Sequence, residues 1–219
     1  GISQFGGNIM PSSSPTAGAS TRVTTTVDSA NNVGLSTSMV IGTDGFPVIS
    51  YYDTTNGNLM VAKCGNASCS SGNVTTTIDS AGDRGQYTSI AIGTDGFPVI
   101  SYYNVTDGDL MFAKCGNTAC SSGNTTTTVD SAGTAGLYTS IAIGTDGLPV
   151  ISYQENWNSD LRVAKCGNTS CSSGNTTTTI DNLNDSLTLG QYTSIAIGTD
   201  GLPVISYYND SNDDLRVAK

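Results

Sequence analysis

YTSIAIGTDGFPVISYY, residues 87–103, holds two strand-like runs and the turn between them. Ile90 and Ile92 flank the small Ala91, a pattern suited to a crowded inner strand where sheets converge. Asp95-Gly96 followed by Pro98 reverses the chain and fixes the next strand's start, where a missing N–H costs least. In the second run Val99 and Ile100 point to opposite faces, and Tyr102 and Tyr103 repeat that parity. Apolar residues of both parities require a sheet buried on both sides.

The tetrapeptide at the turn, GTDG, recurs at Gly42, Gly93, Gly144 and Gly198, with a longer loop around residues 182–187 before the last copy. A fixed period of this length marks a stacked or radial array of supersecondary units. Each period adds two further runs, DLMFAKC (109–115) and VTTTIDS (74–80) in the copies around the quoted stretch. All the runs are short, rich in Val, Ile, Thr and Tyr, and bounded by turn residues, so no helix is expected.

These features predict an all-β fold: a β-propeller of four four-stranded antiparallel blades. A flexible leader is read over residues 1–21 and one domain over 22–219, with repeats near 30–80, 81–131, 132–182 and 183–219 plus 22–29. The chain begins with a Thr-rich run and ends after a third run, so the predicted ring closes by pairing 21–29 with 214–219 and removes an exposed edge. The alternative is an open arc completed by another chain.

The six cysteines fall in three local pairs, Cys64/Cys69, Cys115/Cys120 and Cys166/Cys171, each in CGN-x-x-C. The repeat favours pairing within each phrase, and disulfides persist in oxidising compartments, so an extracellular or cell-surface location is expected. A net charge of −10 opposes nucleic acid and anionic membrane surfaces, and no apolar run is long enough for membrane insertion.

The phrases YTSIAIGTDGLPVISYY (192–208), DLRVAK (160–165) and TTTTVDSAG (125–133) resemble the repeats of bacterial secreted sialidase-like, or BNR, propeller proteins. The resemblance implies a secreted propeller. It departs from the sialidase pattern at the Asp-box, S-x-D-x-G-x-x-W, because here Asp and Gly are adjacent and no Trp follows. An arginine triad cannot be placed on Arg22, Arg84, Arg162 and Arg216, and a chain without His assembles no Ser-His-Asp relay. The expectation is therefore that the chain is not an enzyme.

Tyr51, Tyr102, Tyr153 and Tyr207 recur in every copy and are read as core. The third copy deviates: YQENWNS replaces YYDTTNG and its relatives, introducing Gln154, the only glutamate, Glu155, and the only tryptophan, Trp157. An aromatic beside amide and carboxylate groups is the candidate ligand site. The loops at 53–58, 104–109 and 209–214 carry oxygen ligands that suit Ca²⁺ without EF-hand spacing; no other cofactor or metal is expected. The functional expectation is a structural or adhesive module, a segment of a surface assembly or filament partnered by copies of itself or a neighbouring surface protein. The alternative is a lectin-like propeller that binds glycans.

Overall fold

A computed structural model describes residues 24–182 and 189–219; the leader read over 1–21 and most of the 182–187 loop lie outside them. Fifteen strands and no helix are found among the described residues. The first sheet is a meander of β1 (Val33–Ile41), β2 (Pro47–Asp53), β3 (Asn58–Lys63) and β4 (Val74–Asp79). The second repeats it with β5 (Arg84–Ile92), β6 (Pro98–Asn104), β7 (Asp109–Lys114) and β8 (Thr125–Asp130). The third holds β9 (Ala135–Ile143), β10 (Pro149–Glu155), β11 (Asp160–Lys165) and β12 (Thr176–Asp181). The fourth has three strands, β13 (Leu189–Ile197), β14 (Pro203–Asn209) and β15 (Asp214–Ala218). Every neighbouring pair is antiparallel.

The two parities of the apolar residues do what the pattern requires. Val48, Leu59 and Val61 on the forward face of the first sheet pack against Ile90, Ile100 and Tyr102 on the backward face of the second. Val99, Leu110 and Phe112 then meet Ile141, Ile151 and Tyr153, and Val150, Leu161 and Val163 meet Ile195, Ile205 and Tyr207. The second and third sheets are thus wedges between two neighbours, and the core is three repeated interfaces in series.

Polar contacts reproduce the same register at every interface. The Tyr102 hydroxyl donates to Asp79 at 2.6 Å, Tyr153 to Asp130 at 2.5 Å, and Tyr207 to Asp181. The Thr88, Thr139 and Thr193 hydroxyls donate to the carbonyls of Ser36, Tyr87 and Tyr138 on the preceding inner strand, at 3.0, 3.1 and 2.9 Å. Gly85 and Gly136 lie where strand meets strand: with φ of +112° and +104°, an added Cβ would stand 2.7 and 2.8 Å from the Cα of Leu59 and Leu110. No side chain fits there.

The predicted ring closure is not seen among the described residues: 24–32 form no strand there, and β15 pairs only with β14. The main contacts between inner strands run in the succession β1, β5, β9, β13. The hydrogen bonds that set the step from sheet to sheet are the same at all three interfaces.

Three disulfides join Cys64–Cys69, Cys115–Cys120 and Cys166–Cys171, with Cα separations of 4.8, 4.7 and 4.8 Å. Each staples the loop from the third strand to the fourth, and the bridges suit an oxidising, extracellular setting. No helix among the described residues is long and apolar enough to cross a membrane.

Candidate functional site

The tyrosines read as core are buried: Tyr51, Tyr102, Tyr153 and Tyr207 are each 3% exposed or less. Burial, followed by the neighbouring carboxylate, pushes the Tyr102 and Tyr153 hydroxyls far above the ordinary phenol range, and Tyr207 up to about 12. They remain neutral donors to their aspartates.

The deviant loop of the third repeat forms a cavity of about 460 Å³ whose lining includes Glu155, Trp157, Asn158, Asp160 and Arg162. Glu155 ends β10 and pairs across the hairpin with Asp160, the first residue of β11. Its Oε1 accepts the Trp157 N–H at 2.7 Å, and its Oε2 accepts the Asn158 N–H and side-chain amide, both at 3.0 Å. The shorter Asp53 caps the first repeat's turn in the same way, accepting the Thr55 N–H at 2.9 Å. Glu155 therefore holds the loop, and Trp157 stands out of it with 80% of its surface exposed.

Arg162 also lines the cavity. One guanidinium nitrogen donates to Asp130 at 2.8 Å, while its buried Nε has no protein partner. Burial pushes the Asp160 carboxyl above the usual carboxylate range, and the Glu155 charge adds to this against the pull of Arg162. Asp109, its equivalent in the second repeat, is also raised by burial, so the shift belongs to the hairpin position. Gln154 is separate from the cavity. It is 1% exposed, and its amide donates to the Leu189 carbonyl at 2.8 Å across the interface with the fourth sheet.

Among the described residues no three acidic or cysteine side chains group to hold a metal. In the 53–58 loop the carboxylate of Asp53 is taken by the backbone and by Asn56, whose amide donates at 2.7 Å.

A second concave surface was not legible as a site in the sequence. Tyr87, Tyr138 and Tyr192 stand in a row along successive inner strands, with ring centroids 4.6 Å apart at both steps and interplanar angles of 50° and 53°. Tyr103 and Tyr208 flank the row at 6.3 and 6.4 Å. Each tyrosine of the row sits in a left-handed backbone, φ 54°, 52° and 52°, at a bulge where the register between first and second strands slips. Ser36 holds the place in the first repeat. Together with Thr88, Thr139 and Thr193 the rings line a cavity of about 280 Å³. Burial and the neighbouring tyrosines push the Tyr138 hydroxyl up to about 12. The only signal for this ladder in the sequence is a glycine two residues before each tyrosine, which permits the bulge.

No protein-family model matches the chain, and no curated protein matches it. Solved structures do share its fold. A protein of unknown function from Dyadobacter fermentans superposes with a TM-score of 0.60 at 13% identity, covering 82% of this chain and 50% of that one. A variant of the NanB sialidase from Streptococcus pneumoniae gives 0.57 at 12% identity, covering 83% and 29%. An engineered GH43 glycoside hydrolase with endo-xylanase and exo-arabinofuranosidase activity gives 0.51 at 15% identity, covering 80% and 34%. The chain spans half or less of the length of these structures.

At such identities the likeness establishes the fold, that of propeller-type proteins which include carbohydrate-active enzymes. It corrects the expectation that the chain is not an enzyme. The fold is enzyme-like, and a missing histidine relay or Asp-box carries no exclusion where the shared architecture supports glycoside hydrolysis in other chains.

Proposed function

We propose that the chain is a carbohydrate-binding propeller-type module whose site is the third-repeat cavity. The observation that carries this reading is the exposed Trp157 beside Asn158, Asp160 and Arg162, in the one repeat that departs from its sisters. A pyranose ring offers an apolar face to an indole and hydroxyls to amide, carboxylate and guanidinium groups. Glu155 serves by holding the loop, since both of its oxygens are already engaged. The fold likeness to carbohydrate-active proteins favours this reading over the structural or adhesive one.

Screening against a glycan array, followed by calorimetry on the best binder, tests it. Trp157→Ala weakens binding by about tenfold or more, the equivalent of about 1.4 kcal/mol. An array without signal, or a variant that binds as well as the parent, counts against it. Fluorogenic glycosides then establish whether the bound sugar is also cleaved, with Asp160→Asn as the control.

A second reading places a glycan along the tyrosine ladder. Its support is the left-handed backbone kept at Tyr87, Tyr138 and Tyr192, which costs on the order of 1–3 kcal/mol at each position. Tyr138→Ala separates the two, lowering affinity only if the ladder is the platform.

A further inference from the structure

The aspartates that accept the Tyr102, Tyr153 and Tyr207 hydroxyls each have an arginine, but it comes from two different places in the repeat. Arg162 and Arg216 reach Asp130 and Asp181 from the third strand. In the second repeat Met111 holds that place, and Arg84 reaches Asp79 at 3.3 Å from the start of the inner strand. The same guanidinium group meets Asp107 on the hairpin at 3.1 Å and the Ala81 carbonyl at 3.0 Å. The third repeat has the buried Ala135 where the second has Arg84. Ala132, Asn158 and Arg162 stand in the places of Ala81, Asp107 and Met111, and all three line the third-repeat cavity. That cavity therefore lies where the sister repeat holds a guanidinium.

The charges around the cavity also call for a cation. Arg162, the one cation of the lining, is committed to Asp130 at 2.8 Å and to the Thr177 hydroxyl at 3.3 Å. Glu155 receives N–H groups of its own loop and no ion pair among the described residues. Asp160 lines the cavity with only 9% of its surface exposed, and its carboxylate accepts no hydrogen bond from the described residues. With Asp130 included, three carboxylates stand against one guanidinium. A buried charge without a partner is costly, so a ligand that brings a positive charge is favoured and one that brings a negative charge is opposed. The exposed Trp157 acts in the same sense, because the face of an indole attracts cations.

We propose that the third-repeat cavity takes an amino sugar, its free ammonium on Asp160 and its ring on Trp157, in the space that Arg84 fills one repeat earlier. The inference rests on the carbohydrate reading of this cavity and narrows it to a cationic ligand. It sets the site apart from one for acidic sugars, whose carboxylate is held by a free arginine or lysine, and here the only arginine of the lining is already paired.

Calorimetry on the full chain at about pH 6, where the amine of the sugar carries its proton, tests this with a glucosamine tetramer, its N-acetylated counterpart and a galacturonate tetramer. The glucosamine tetramer should bind about tenfold or more tighter than the N-acetylated one, the gain expected of one hydrogen bond between charged groups. The galacturonate should not bind. Asp160→Asn should bring the affinities of the first two together. A second variant, Ala135→Arg with Arg162→Met, gives the third repeat the second's own arrangement and should close the cavity to every probe. Equal binding of the two tetramers that is lost in Trp157→Ala overturns the cationic ligand and leaves the carbohydrate reading standing. A preference for the amine that survives Asp160→Asn is attraction to a chain of net charge −10 and overturns the proposal as well. Silence from all the probes beside a Trp157-dependent binder on the array overturns the cationic ligand alone; silence in both overturns both readings.

Discussion

The Tyr102, Tyr153 and Tyr207 hydroxyls each donate to an aspartate one sheet back, so a single oxygen reports on a whole interface. Tyr102→Phe keeps the ring in the core and leaves Asp79 with Arg84, 3.3 Å away, as its remaining charged partner. A hydrogen bond to a charged group contributes about 1.5–3 kcal/mol, and urea unfolding of Tyr102→Phe should show a loss of that size. Gly136→Ala should cost more than Gly34→Ala. Both adopt a positive φ, but only the first meets backbone, at 2.8 Å from the Leu110 Cα. Equal losses would mean that the sheets are not wedged as described.

The residue scale also marks the limit of sequence reading at the site. Trp157 was legible because a repeat is its own control, and one copy departed from three. Gln154 shared that departure, yet its parity turns it inward to the Leu189 carbonyl, which only the neighbouring sheet could reveal. Tyr87, Tyr138 and Tyr192 looked like ordinary members of the first strand. Their role depends on a bulge that tilts each ring onto the next, and no period-two pattern contains that information.

At the scale of the element, the turns carry the clearest repeat chemistry. The carboxylate of each GTDG turn accepts a backbone N–H two residues on and meets the lysine ending the third strand: Lys63 with Asp44, Lys114 with Asp95, Lys165 with Asp146 and Lys219 with Asp200, at 2.6–2.9 Å. The lysine hydrogen bond holds the Asp44 carboxyl below its ordinary value; at Asp95 burial opposes the same fall, and the lysine and backbone outweigh it. A carboxyl lowered on folding stabilises the native state above its unfolded value, and that contribution is lost as pH falls through the folded one. Asp109 and Asp160 are raised and act in the opposite sense. With four groups lowered against two raised, the melting temperature should fall between pH 5 and pH 2, about the span over which such carboxylates titrate. Lys114→Met should flatten the profile.

The disulfides act at the same scale. Each closes a loop with a sequence separation of 5, and so short a loop stabilises by only about 2 kcal/mol in the chain-entropy view. Replacing Cys115 and Cys120 together by Ala should lower unfolding free energy by about that amount while strand content persists. Loss of folding on removing one bridge would show that the core interfaces contribute less than their burial implies.

Across the whole molecule, the strands and the wedge-like packing were legible because they follow from local parity: Val99 and Ile100 had to face different neighbours. Closure was not legible, since it depends on the rotation accumulated over three interfaces, and no residue encodes a sum. Four nearly equivalent sheets build a frame, and one altered hairpin departs from it.

The chain contains a single tryptophan, so its fluorescence reports from the third-repeat cavity alone. A titration of the intact protein with the best glycan from the array, followed by tryptophan emission, tests the central claim most directly. Stacking a sugar on the exposed Trp157 should shift the emission to the blue and saturate at the calorimetric affinity. Binding seen by calorimetry with unchanged emission would place the carbohydrate elsewhere and contradict this account.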